Sequence, residues 1–270
     1  MSGRTILRVA RAVFKESVRD RVLYNLVGFA ILLIGASFLI GQLTAGQDVK
    51  IIKDLGLAAM SVFGLFIAIF IGIGLVSKEV ERRSVYSLLA KPVRRSELVI
   101  GKYAGLLLTV AVNLAVMAAV YYGVLGYMSW SESEAFKRGW EAPAADPRLL
   151  IAVYLVFVQL ALVIAIALFF STFSTPMLSA AFTFGLFIAG HFGADLKNFE
   201  VVVGDSPVRY LTTAIYYLLP DMAAFDVKTA VVHAQPVTAG YLAVTTIYGA
   251  VYAATLVAAA VLIFSRRDFK

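Results

Sequence analysis

Charged residues are spaced unevenly along this chain. Six stretches contain no Asp, Glu, Lys or Arg: Val22–Gly41, Leu55–Val76, Tyr103–Met128, Leu149–Phe170, Met177–Gly193 and Tyr241–Phe264. They run from 17 to 26 residues. Crossing about 30 Å of hydrocarbon takes roughly 20 apolar helical residues. Backbone in lipid must satisfy its own hydrogen bonds, so runs apolar on every face predict helices. Barrel strands would alternate in polarity every second residue, and these runs do not. The pattern predicts an all-α membrane protein with six transmembrane helices, forming one transmembrane domain over residues 1–270. The fifth run is the weakest, being short and interrupted by Thr183.

The segments between the runs have characters of their own. From Arg4 to Arg19 the cations Arg4, Arg8, Arg11, Lys15 and Arg19 recur every three or four residues and form one helical stripe. Ile6, Ala10, Val13, Phe14 and Ser17 fall on the opposite face. This is the pattern of an amphipathic helix on a membrane surface, with its cations toward anionic headgroups. Between the second and third runs, Lys78–Ala90 predicts a short amphipathic helix. Pro92 ends it, because the residue before a proline is pushed out of the α region. Ser96 is the expected cap of the next helix, with Glu97 favourable in its first turn. On composition alone that loop reads first as a solvated charged linker and second as a protrusion for docking another protein. In the long loop Ala194–Gly240, Val208–Leu219 is too short to span and predicts an outer interfacial or re-entrant helix broken by Pro220. Trp130 and Trp140 suit a membrane interface.

Composition sharpens this picture. The 270 residues are 61% hydrophobic and 15% charged, against about 25% charged in a soluble domain. The absence of cysteine excludes a disulfide scaffold. The net charge of +7 divides by segment. The N-terminal tail, the Ser77–Lys102 loop, the Ser171–Pro176 turn and the tail from Ser265 together carry +10, and the other loops carry −3. Lys and Arg collect on the cytoplasmic side of a membrane. Both termini are therefore expected in the cytoplasm, and nucleic acid is not needed to explain the charge. The first run reads as an anchor rather than a cleaved leader, since no A-x-A site follows it.

Catalytic signatures are missing. Gly101-Lys102 is followed by Tyr103, and Ser96 stands where an ATP-binding P-loop needs its first glycine. No zinc-protease or serine-hydrolase motif occurs, and His191 and His233 are the only histidines. No catalytic, metal or cofactor site is expected on this chain, and it does not read as an enzyme. The spans carry none of the ionisable groups that ion-driven carriers use. Their notable polar groups, Asn113 and Gln159, read as hydrogen-bonding contacts between helices.

The loop residues Glu79-Val-Glu81, Ser84, Leu88-Leu89, Pro92-Val-Arg94-Arg95, Glu97 and Gly101-Lys102 resemble the signature of ABC-2 type transporter permeases. Phe14–Arg21 is similar to that family's amphipathic entry helix, and Phe264–Asp268 to its usual end. The likeness is strongest to the branch of NosY-type copper-site maturation and gliding-motility permeases. Where the family often has Gly-Thr, this chain has Arg83-Ser84, which keeps the hydroxyl and loses the glycine. The resemblance implies the membrane subunit of an exporter in a prokaryotic cytoplasmic (inner) membrane. It implies a second permease chain, identical or paralogous, and two ABC ATPase subunits that hold the ATP and Mg. It makes Lys78–Ala90 the coupling helix, with Glu79, Glu81, Arg82, Arg83, Ser84, Tyr86, Leu88, Leu89, Pro92, Arg94 and Arg95 at the ATPase interface. A non-transporting scaffold driven by an ATPase and a passive channel or ion-driven carrier remain as alternatives.

Overall fold

A computed structural model describes residues 3–42, 48–81, 94–193 and 219–266. Among the described residues every regular element is helical, with no strand. The longer helices are α1 (Gly3–Ser17), α2 (Arg21–Gln42), α3 (Asp48–Glu81), α4 (Arg95–Ser131), α5 (Leu149–Ser171), α6 (Pro176–His191) and α7 (Ala239–Arg266). Short turns of helix at Glu134–Lys137, Ala223–Phe225 and Lys228–Val232 fill the connections.

Five of these helices, α2, α3, α4, α5 and α7, are long and apolar enough to cross a membrane. The fifth sequence run gives α6, whose 16 residues reach only about 24 Å. That is short of a bilayer's hydrocarbon thickness, so the six expected spans become five full-length helices and one short apolar one. Conversely α3 and α4, with 34 and 37 residues, extend about 51 and 56 Å and must project beyond the hydrocarbon. The second charge-free run begins at Leu55. The helix begins a full two turns earlier.

A helix that is apolar all round belongs in a core. That is the position of α5, whose residues from Leu162 to Leu168 are all buried, with α3 packed along it. About two thirds of the apolar stretch of α3 and of α5 is buried, against 28% for α2 and α7. These two are peripheral and leave apolar faces outward, among them Leu32 and Leu39 on α2 and Val244, Ile247 and Val251 on α7.

The end of the bundle away from the chain termini is held by a polar cap. Lys53 is only 2% exposed, and its Nζ donates to the Pro143 carbonyl at 2.9 Å. The Tyr121 hydroxyl donates to the Lys53 carbonyl at 3.1 Å. Lys50 pairs with Glu141 at 2.6 Å, and this bond holds the Glu141 carboxyl below the usual carboxylate range. The Arg148 guanidinium donates to the carbonyl of Ala234, which has a positive φ of 55°.

Candidate coupling junction at the basic end

At the other end, α3 stays helical through Lys78 to Glu81. The separate short helix expected from Lys78 onward is thus, over its first turn, a continuation of the span itself. Glu79 and Glu81 lie in that last turn. Arg82, Arg83, Ser84, Tyr86, Leu88, Leu89 and Pro92 lie outside the described residues. The chain is described again at Arg94, an exposed residue with extended backbone that takes the N-cap position. Ser96 is therefore inside the helix and not its cap, and no side chain caps this end. Glu97 does fall in the first turn, where a carboxylate suits the positive helix end. It is 4% exposed, as is Lys102 one turn on.

Arg95 points across the bundle rather than outward alone. Its Nη1 lies 3.4 Å from the Phe264 carbonyl and 3.3 Å from that of Ser265. These belong to the last described turn of α7. The exit of the basic loop is thus tied to the end of the last span.

The same stretch of α4 receives α1. A Cβ at Gly101 would fall 2.6 Å from Val9 Cβ, and one at Gly105 would fall 2.7 Å from both the Ala10 carbonyl and Val13 Cβ. Any side chain at either position would push α1 away. Ala10, Val13 and Ser17 are buried in this contact. Arg4, Arg8, Arg11 and Lys15 stand exposed on the far side, Arg19 is exposed just past the helix, and Phe14 is half-buried. The cation stripe is where the periodicity put it. The opposite face, expected on lipid, instead covers α4. The missed signal was Gly101-x-x-x-Gly105, the small-residue spacing that lets two helix backbones approach.

Of Asn113 and Gln159, the second does link elements. Its Nε2 donates to the Met222 carbonyl at 3.0 Å and lies 3.4 Å from His191 Nε2. His191 Nδ1 is 2.9 Å from the Phe187 carbonyl. A carbonyl only accepts, so Nδ1 carries the proton and Nε2 accepts from Gln159. Gly190 lets the Pro220–Met222 segment pass close by, and the Met222 amide donates to its carbonyl at 3.0 Å. Asn113 differs from expectation: its amide donates to Thr109 in its own helix. Among the described residues no three His, Asp or Glu side chains gather as a metal site.

The bundle thus has long apolar helices and a basic end where the first helix, the loop exit and the last span are joined. No match to a curated protein is found. The model of one family, described as ABC-2 family transporter protein, matches residues 7–269. With nearly the whole length matched, the chain belongs to the ABC-2 transporter family, as a multi-pass membrane permease subunit of an ABC transporter.

Proposed function

We propose that this permease exports its substrate using ATP hydrolysed on separate ATPase subunits, two per complex, with two permease chains side by side. The observation that carries the reading is the family match over residues 7–269 in a chain with no P-loop of its own. In this reading the substrate crosses with α6 acting as a short sixth span, and both termini face the cytoplasm of a prokaryotic inner membrane. The charge division of +10 against −3 supports that orientation.

Coupling requires a stiff element biased by both sites. The segment Lys78–Ala90 is suited to that role, because α3 runs unbroken into its first turn. Movement of this segment would reach α3 directly. It would reach α4, α1 and α7 through Arg94–Gly105. Glu79, Glu81, Arg82 and Arg83 supply charge complementarity to the ATPase, and Leu88 and Leu89 the apolar contact. ATP and Mg stay on the partner.

The test is co-purification. Glu81→Lys with Arg83→Glu is expected to strip the ATPase from the permease while membrane insertion stays intact. Undiminished co-purification would remove the coupling assignment. Cytoplasmic termini are checked by a C-terminal reporter, whose activity solely outside the cell would reverse the orientation.

A further inference from the structure

On its outer side the bundle has one long apolar groove, bounded by α4, α5 and α7, with a volume of about 800 Å³. Ser96, Tyr103, Phe157, Ala250, Ala254 and Leu262 mark its course. Between Gly249 and Leu262 it follows α7 for about 20 Å, more than half the hydrocarbon thickness. The α7 wall is nearly all alanine and valine, so it is smooth. Of its polar side chains, the Tyr103 hydroxyl is turned to the Ala161 carbonyl at 3.2 Å, and the Tyr154 hydroxyl to Thr246 Oγ1 at 3.3 Å.

The basic end of the groove is different. Ser96 there follows Arg94 and Arg95, and Leu262 lies one turn before Arg266. Arg95 clamps the two walls together through the Phe264 and Ser265 carbonyls. Arg94 and Arg266, the chain neighbours of Arg95 and Ser265, are both exposed. The site therefore offers guanidinium groups at the membrane surface and a hydrocarbon-lined trough leading inward from them. A phospholipid with an anionic headgroup has the same order: a phosphate at the surface, which guanidinium binds in bidentate fashion, then an acyl chain.

We propose that this groove is a binding site for one anionic phospholipid, its phosphate between Arg94 and Arg266 and an acyl chain along Ala250–Leu262. A helix from a second copy fits less well. Aligned in the same membrane, it would bring its own basic end, part of segments summing to +10, against these arginines. The site depends on membrane embedding alone, and not on the ATPase partner or the coupling assignment.

Native mass spectrometry of the purified full chain in mild detergent tests it. Phosphatidylglycerol and phosphatidylcholine of identical acyl chains are added in competition. The wild-type chain is expected to retain one phosphatidylglycerol with a preference of roughly thirtyfold, from two cations near an anionic group. Arg94→Gln with Arg266→Gln, both at exposed positions, should bring the preference to parity. Ala254→Trp, which fills the trough, should lose retained lipid of both kinds. Equal retention of the two lipids by the wild-type chain overturns the proposal, as does an unchanged preference in the double arginine variant. So does a disulfide-linked dimer on oxidation of Ala254→Cys, which the cysteine-free background makes easy to read, because it would put a second copy in the groove.

Discussion

Replacing Gly105 with alanine adds a single methyl group to α4, yet its effect on stability should reverse that of the same change elsewhere on the helix. On propensity alone Gly→Ala favours a helix by up to about 1 kcal/mol. Gly123 shows that effect in isolation: it lies on the same helix with nothing within 4 Å of an added Cβ. At Gly105 the methyl would sit 2.7 Å from the Ala10 carbonyl oxygen and from Val13 Cβ and Cγ1. Comfortable carbon contacts begin near 3.5 Å, so α1 must retreat by about 1 Å. Overpacking costs roughly 1–3 kcal/mol, and with a backbone oxygen among the contacts the upper part, about 2–3 kcal/mol, applies here. The net expectation is destabilisation of about 1–2 kcal/mol at Gly105 and a gain at Gly123. Trimming Val13 to alanine should restore only part of the loss, because the Ala10 carbonyl is backbone and cannot be removed. The chain has no cysteine, so Ser17→Cys reports on the docked face directly; Ser17, the last residue of α1, is 2% exposed. Maleimide labelling at that position should quicken roughly five- to thirtyfold in the Gly105→Ala background, the range that 1–2 kcal/mol gives. It should stay slow in Gly123→Ala. If Gly105→Ala raises thermal stability in detergent and leaves labelling slow, the docking of α1 on α4 is refuted.

Other changes give further expectations. Gln159→Leu leaves the Met222 carbonyl without its amide and His191 Nε2 without a donor, at about 1–2 kcal/mol, measured by thermal unfolding in detergent; a neutral result would show the link is not holding the Pro220–Met222 segment. Arg95→Gln should leave global stability within about 1 kcal/mol but speed hydrogen exchange in the last turn of α7, and unchanged exchange there would argue against the clamp. Glu141 has a folded-state pKa below its unfolded value, because Lys50 hydrogen-bonds its charged form. Its contribution is therefore present above the ordinary carboxylate range and lost as pH falls through the folded value. The melting-temperature difference between the wild-type chain and Glu141→Gln should be constant near neutrality and close as pH falls below the ordinary carboxylate range; a difference that persists in acid would exclude the ion pair as its source.

The sequence and the structure speak to different kinds of fact. Whether a stretch enters lipid is a property of that stretch alone, because transfer from water is paid residue by residue. The apolar runs, their helical state, the two-signed charge division and the cation stripe of α1 could therefore all be seen in the order of residues. So could the family, since its motif lies in one contiguous loop. What the order of residues left open is which surfaces meet, and that is a property of pairs. Lys53 lies two residues before the charge-free run that begins at Leu55, and an unpaired ammonium is costly in a dry setting. The tertiary structure buries it within α3 by bringing Pro143 from ninety residues away. The apolar face of α1 was indistinguishable from a lipid-facing one until Gly101 and Gly105 supplied a surface that only a close backbone fits. Gln159 and Asn113 are equally polar and equally embedded in sequence, yet one finds His191 and Met222 and the other bonds to its own helix. Helix formation and membrane entry are local and additive. Docking, burial of charge and the joining of the basic loop to the last span depend on which distant atoms arrive within a few ångströms, and only the folded chain decides that.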